Sequence, residues 1–499
     1  MATMLPAQTT ARQRWTALVL LAAIEFMMLL DTSIVNIAMP AIKVGLRFSE
    51  ADLPWIQNAY LLVFGGFLLL GGRAADLFGR RRLYLIGLAL FTASSLLAGF
   101  APTGGFLLLA RASQGLGAAL VLPAEQSLLV TIFTDPDEFN RAFGIWGAMG
   151  AAGGIFGTLL GGMLTQLVGW PWIFLINVPI GALALALSPR LLPESRANAG
   201  QRLDLLGAVT VTLAIVLFAY APIAGQQLGW GSFPALGALV AAMLLLLAFL
   251  GAEARSPSPL TPLRIFRIRN ANGGNIASFL VGASHAAMFY FLSLYFQQSL
   301  GYDALTTGLA IVPIGVISLF VAILVIPRAL DHLGAKGTLV GGLLLLTAGI
   351  VAFARAPVPS HYALDILPAS LLVAFGLPMA FVGVNVTAVT AVGEDETGLA
   401  SGLMNTVQRV GSGIGIAALM AVFVARVGPV TAHTGATTLA AGFQLAFLGA
   451  ALLAALGAAL ALLIIRQPAR TTQSARHAES AESAEGAATP ARSRLHFHH

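Results

Sequence analysis

The chain contains no cysteine. Disulfide frameworks, thiolate metal sites and a cysteine nucleophile are therefore excluded. Charge is scarce too. Asp, Glu, Lys and Arg make up 10 % of the 499 residues, against about 25 % in a soluble globular protein. Its 27 basic and 21 acidic side chains cannot cover the water-facing surface of a chain this long, which removes soluble enzymes, nucleic-acid binders and disordered proteins from consideration. No GxxxxGK[ST] phosphate loop occurs and the polar segments are too short for a nucleotide domain, so ATP-driven work is excluded. Neither a nucleophile nor a metal cluster falls inside the apolar runs. The histidines near the end, between Leu495 and His499, read as an unstructured terminus. No metal and no cofactor are expected.

Apolar residues, in contrast, make up 58 % of the chain, and the mean hydropathy is +0.86. A polytopic membrane protein, solvated mostly by lipid, fits these values. About 20 apolar residues are needed to cross the hydrocarbon core. Fourteen runs qualify: 16–39, 54–72, 83–100, 106–131, 142–165, 172–189, 205–221, 233–252, 275–298, 306–327, 338–354, 364–392, 399–424 and 442–465. An even number places both termini on one side. With both in the cytoplasm, 21 of the 27 basic residues fall in cytoplasmic segments and four (Lys43, Arg47, Arg355 and Arg426) in outer loops. That asymmetry accounts for the net charge of +6 and orients the chain by the positive-inside rule. The residues from 467 onward are rich in Ala, Ser, Arg and Glu and read as a disordered cytoplasmic tail.

Two segments repeat. Gly72 to Arg82 reads GRAADLFGRRR, and Pro327 to Lys336 reads PRALDHLGAK. Overlaid, Asp76 meets Asp331, Gly79 meets Gly334 and Arg81 meets Lys336. Each follows the second span of a six-span block, as in the parallel repeats of transporters. The organisation expected is a cytoplasmic N-terminus (1–15), a six-helix bundle (16–192), a linker (193–204), two inserted spans (205–252), a linker (253–274), a second six-helix bundle (275–465) and the tail (466–499).

Ionisable groups inside spans are costly and mark functional sites. Here they are Glu25, Asp31, Arg111, Glu125 and Arg409, with His285 as a titratable sixth. Asp31 lies eight residues from the outer end of the first span and Arg111 five from that of the fourth. At about 1.5 Å per residue their depths agree within roughly 5 Å, so they can pair. Glu25, Thr32 and Asn36 share one helical face, which reads as the wall of a polar cavity. Glu25 and Glu125 find no basic partner at their depth in the first bundle. They are therefore the expected proton carriers, competing with a cationic cargo, while Asp31 stays charged beside Arg111; a purely structural Asp31–Arg111 pair is the alternative. His285 reads as a relay or as a backbone-bonding residue. Arg409 either positions its helix or touches cargo. Trp146, Asn385 and Gln408 are further cavity candidates. In the fifth span, Gly147, Gly150, Gly154, Gly157 and Gly161 recur every three or four residues, allowing close helix approach.

The loop GRAADLFGRRR resembles the loop motif of the major facilitator superfamily. LDTSIVNIAMP (Leu30 to Pro40), LLLARASQGLGAA (Leu107 to Ala119), GWPWIFLINVPIG (Gly169 to Gly181) and GLASGLMNTVQRVGSGIGIA (Gly398 to Ala417) resemble, in order, motifs of its fourteen-span drug:proton antiporters. Two departures occur. In Gly157, Thr158, Gly161 and Gly162, the fifth-span antiporter motif, Thr158 stands where the family has proline, and Pro171 stands where its sixth-span motif has arginine. The resemblance implies an all-α membrane protein with the major facilitator fold, 14 helices arranged 6+2+6, in the cell membrane. It implies coupling through Asp31 and Arg111, and a gate built on Gly72, Asp76, Gly79, Arg80 and Arg81, repeated at Asp331 and Gly334. The expected function is proton-coupled efflux of amphipathic, cationic drugs by alternating access. The expected partners are lipid, protons and a small-molecule cargo, with no nucleic acid and a monomer sufficient. A dedicated exporter of one metabolite and a proton symporter remain open.

Overall fold

The computed structural model describes residues 10–194, 205–229, 231–255, 263–389, 391, 397–428 and 436–466. The tail from 467 onward, nearly all of the 193–204 linker and part of the 253–274 linker lie outside them. The described residues form helices α1 (Ala11–Leu46), α2 (Trp55–Phe78), α3 (Arg80–Gly99), α4 (Gly104–Ile132), α5 (Pro136–Leu167), α6 (Trp172–Leu175), α7 (Asn177–Leu191), α8 (Leu205–Leu228), α9 (Phe233–Arg255), α10 (Arg269–Gln298), α11 (Ala304–Phe320), α12 (Ile326–Arg355), α13 (Leu367–Val389), α14 (Thr397–Val427) and α15 (Ala436–Ile464). No strand occurs among them. Eleven helical stretches are long and apolar enough to cross a membrane. The longest runs over 52 residues, from Ala304 to Arg355, through a π-helical turn at Val321–Val325.

Local chemistry sets the helix ends. Thr10 accepts the Gln13 N–H, and the Gln13 side chain accepts the Thr10 N–H, which starts α1 well before the apolar run at 16. Arg47, at φ 58°, closes the same helix in the left-handed region. Thr103 and Asp303 cap α4 and α11 by accepting the N–H three residues on. Along α9, Leu236, Val240, Met243, Leu244 and Leu247 are exposed, a surface suited to lipid rather than water.

The internal repeat reappears in the backbone. Gly79 separates α2 from α3 at φ 107°, and Gly334 interrupts α12 at φ 69°. Both conformations favour a residue without Cβ. Two residues further on, Arg81 donates to the Leu192 carbonyl past the end of α7, and Lys336 donates to the Leu462 carbonyl near the end of α15. Matched cations thus anchor matched helix ends, and this face is called the basic end below.

Helices α1 to α7 pack on one another, as do α10 to α15. The two groups meet along α2–α14 and α5–α11, and more lightly along α1–α10. Small residues permit the approach. A Cβ on Gly162 would lie 2.4 Å from the Ala304 carbonyl oxygen, and one on Gly308 would lie 2.6 Å from that of Thr158. Toward the end opposite the basic one, Ser293 donates to the Asn36 carbonyl at 2.7 Å and Gln297 to that of Ile37 at 3.0 Å. Beside them Glu50 pairs with Lys43 of its own group and accepts from Gln298 of the other. The α8–α9 pair sits against α2 and α14, where Thr212 donates to the Gly66 carbonyl at 2.8 Å.

Candidate functional site: a central cavity between the helix groups

A cavity of about 480 Å³ opens between the two groups, lined from α1, α2, α5, α10, α11, α13 and α14. This volume falls in the range of small-molecule sites. Glu25, Thr32 and Asn36 line it along one face of α1. Gln57 joins them from α2, its amide nitrogen donating to the Thr32 carbonyl at 3.1 Å. His285, Gln408 and Arg409 line it from the other group. The His285 ring lies edge-on to Phe289 and Phe381, with centroids 5.2 and 5.3 Å away. The Arg409 guanidinium lies over Phe64, 4.6 Å from the ring centre.

Asp31 and Arg111 take a different place. Their side chains are completely buried and joined at 2.7 Å, and neither lines the cavity. The carboxylate also accepts from Asn177 at 2.8 Å and Gln114 at 3.3 Å. Arg111 donates to the Ile56 carbonyl and to the Gln114 side chain, and stacks 4.5 Å over Tyr60. Gln114 in turn donates to Ser95. The cluster therefore ties α1, α2, α3, α4 and α7 together inside the first group. Gln114 and Asn177 are partners that reading the spans for charge alone passes over. Both stand inside motif segments, and Gln114 lies three residues after Arg111, on the same helical face.

Glu25 is nine-tenths buried, and its Oε2 has no hydrogen-bond partner. A Cβ on Gly150 would lie 3.1 Å from its Oε1, so α5 presses directly on this carboxylate. Glu125 is fully buried and neither of its oxygens is hydrogen-bonded. It stands beside the Trp146 indole and within electrostatic reach of Glu25, behind the cavity wall. Burying an unpaired carboxylate is costly, and a bound proton removes that cost. Trp146 is itself buried, packed on Phe143, and is not among the lining residues. Asn385 is exposed, donates to the Phe381 carbonyl of its own helix, and is not among the residues lining the cavity.

The fifth-span glycines divide into two seams. Gly153, Gly157 and Gly161 meet backbone carbonyls of α1 within their own group, whereas Gly162 meets α11 of the other. Gly147 and Gly154 border the cavity. Thr158 also lines the cavity, and its hydroxyl donates back to the Ile155 carbonyl at 2.7 Å. At the basic end, Arg80 donates to Thr131 of α4, and Arg81 pairs with Glu194 at 3.5 Å. These contacts stay within the first group. Gly72 packs near Pro123 of α4. The Asp76 side chain lies outside the described residues, and Asp331 is exposed three residues before the Gly334 break.

The sequence matches the Major Facilitator Superfamily over residues 21–416. It is 38 % identical over 410 residues to the cephamycin export protein CmcT of Amycolatopsis lactamdurans, covering 82 % of this chain and 84 % of that protein. It is 37 % identical over 410 residues to the puromycin resistance protein of Streptomyces alboniger, covering 82 % and 81 %. Among solved structures, an auto-inhibited POT family peptide transporter superposes with a TM-score of 0.65 at 18 % identity, covering 92 % of this chain and 98 % of that one. The human organic anion transporter MFSD10 superposes with a TM-score of 0.61 at 16 % identity, covering 91 % and 100 %.

Proposed function

The chain belongs to the Major Facilitator Superfamily, and from that premise we propose that it is a proton-coupled exporter of amphipathic, antibiotic-like small molecules. It is a multi-pass protein of the cell membrane and a transporter rather than an enzyme. The finer architecture is read as follows. A helix of 52 residues would be about 78 Å long at 1.5 Å per residue, more than twice a hydrocarbon core of about 30 Å. Its break at Gly334 makes it two spans. With the shorter apolar helices at Trp55–Leu68 and Val209–Phe218, the total is fourteen. On this reading α1 to α7 and α10 to α15 are the six-span halves, α8 and α9 are inserted, and the basic end with both termini faces the cytoplasm.

The observation that carries the function is Glu25, a nearly buried carboxylate with an unpartnered oxygen on the wall of a cavity shared by both halves. Export follows if proton and cargo exchange at this wall while the halves rock. Glu125 behind it passes the proton. The sealed Asp31–Arg111 cluster keeps α1 in register with α4 as Glu25 changes charge. The Ser293 and Gln297 bonds hold the outer side shut, so the arrangement corresponds to the state loaded from the cytoplasm. A carboxylate on the wall favours cargo with a cationic group. The narrower reading, a dedicated exporter of one metabolite, is favoured by the first relative, which is named for a single antibiotic.

The test is reconstitution in proteoliposomes with puromycin as cargo and a pH gradient of either sign. Wild type should accumulate cargo on the more acidic side and reverse with the gradient. Glu25→Gln and Glu125→Gln should lose that drive while retaining cargo exchange at equal pH. Full gradient-driven accumulation in both variants would overturn the coupling assignment. A panel of unrelated dyes and drugs separates broad from dedicated export.

A further inference from the structure

The unpartnered polar atoms of the cavity residues are sorted by half. On α1 and α2 they are acceptors: Glu25 Oε2, Asn36 Oδ1 and Gln57 Oε1. Gln57 is oriented by its own amide nitrogen, which is taken up by the Thr32 carbonyl, so its oxygen is the group left without a partner. On α14 they are donors: Gln408 Nε2 and Arg409 Nε. The Phe64 ring beneath Arg409 fixes the guanidinium plane. Among the described residues no ion pair joins Arg409 to a carboxylate, and none joins Glu25 to a base. Two opposite charges therefore line one cavity from different halves without direct contact.

A buried polar group left unpaired is costly, so a tight ligand is one that satisfies both sets. A cargo that is only cationic meets Glu25 but is repelled by Arg409 and leaves the α14 donors empty. A cargo that is only anionic has the reverse problem. We propose that the cargo is amphoteric: an amphipathic molecule with a basic group for Glu25 and Gln57, an acidic or strongly accepting group for Arg409 and Gln408, and an aromatic or apolar body between them. The rings of Phe289 and Phe381, both on the cavity wall, receive that body. This inference rests on the export reading above and names its substrate class. It also gives the two halves a reason to move together, because a ligand bridging them couples their closure.

Three dyes with one ring body test it. They are a rhodamine with a free carboxylate (both charges), its methyl ester (cation only) and fluorescein (anion only). Each is titrated by fluorescence anisotropy against the full chain in lipid nanodiscs at neutral pH. The free-acid rhodamine should bind at least tenfold more tightly than either of the others. Arg409→Gln should bring it down to the level of the methyl ester, and Glu25→Gln to the level of fluorescein. Methyl ester binding as tightly as the free acid, or no binding of any dye, overturns the inference. The wild-type ranking needs no variant, so a misfolding substitution leaves the test intact. Binding here involves no gradient. The expected ranking without proton-driven flux supports this inference and counts against export; flux of the methyl ester alone supports export and overturns this inference.

Discussion

Asp31→Asn and Arg111→Gln each strip one charge from a pair that solvent does not reach. Removing one partner of a buried ion pair costs about 3–5 kcal/mol, because the other charge is left uncompensated. The surroundings here push the cost toward the lower figure. Without Arg111, Asp31 keeps the amide donors of Asn177 and Gln114. Without the carboxylate, Arg111 keeps the Ile56 carbonyl, the Gln114 oxygen and the Tyr60 ring. Each single substitution should therefore cost about 3 kcal/mol, roughly a 150-fold fall in the folding constant. The double substitution removes both charges and should cost clearly less than the sum, with a coupling of at least about 1 kcal/mol. The assay is unfolding of the purified protein by sodium dodecyl sulfate in mixed micelles. Asn385→Ala, which removes only a bond from an exposed side chain to its own helix, serves as a control within about 0.5 kcal/mol. Single costs below about 1 kcal/mol, or strictly additive ones, would refute the claim that the pair is a sealed structural unit.

Four further outcomes follow from the same geometry. Gly153→Ala would put a methyl group 2.2 Å from the Phe26 carbonyl oxygen and should cost about 1–3 kcal/mol or more in unfolding assays, whereas Gly147→Ala meets nothing within 4 Å and should be neutral. Gly150→Ala should spare stability and slow proton-driven flux, since its methyl group presses on Glu25. Ser293→Ala and Gln297→Ala each remove one bond across the halves, worth about 1 kcal/mol, and should speed labelling of a Thr32→Cys variant by an external maleimide about fivefold; the chain has no native cysteine to interfere. Asp303 outside the spans accepts the Thr306 N–H, which holds its carboxyl below the usual carboxylate value. Its capping contribution is thus complete above the ordinary carboxylate range and lost as pH falls through the lowered value. Hydrogen exchange at the first turn of α11 should rise in acid, and Asp303→Ala should show that faster exchange at neutral pH as well.

Much of the fold is legible along the chain because its signals are local. A run of apolar residues declares a helix that lipid can solvate. The Asp-x-x-Gly-basic repeat is equally local: Gly79 and Gly334 are glycines because the backbone there turns into a region other residues avoid. Helical periodicity placed Glu25, Thr32 and Asn36 on one face, and the cavity lies along it. Depth along two helices made the Asp31–Arg111 pair foreseeable, since rise per residue is a property of each helix alone.

What each helix meets is a different kind of information. Asn177 reaches Asp31 across 146 positions, and Arg409 comes to share a cavity with Glu25 from the opposite half. No periodicity encodes such meetings; they depend on how whole helices are laid against one another. The same holds for the fifth-span glycines, which are uniform as a pattern yet divide between α1, the cavity and α11 once the helices are packed. Trp146 and Asn385 show the converse. Both looked like cavity residues by type and position, and packing left neither of them on the cavity wall. Composition and periodicity therefore settled that this is a helical membrane protein and which polar residues it keeps inside. Only the tertiary structure decided which of those are sealed to one another and which are left without a partner on a cavity wall, because satisfaction of a buried polar atom depends on its neighbours in space and not on its neighbours in the chain.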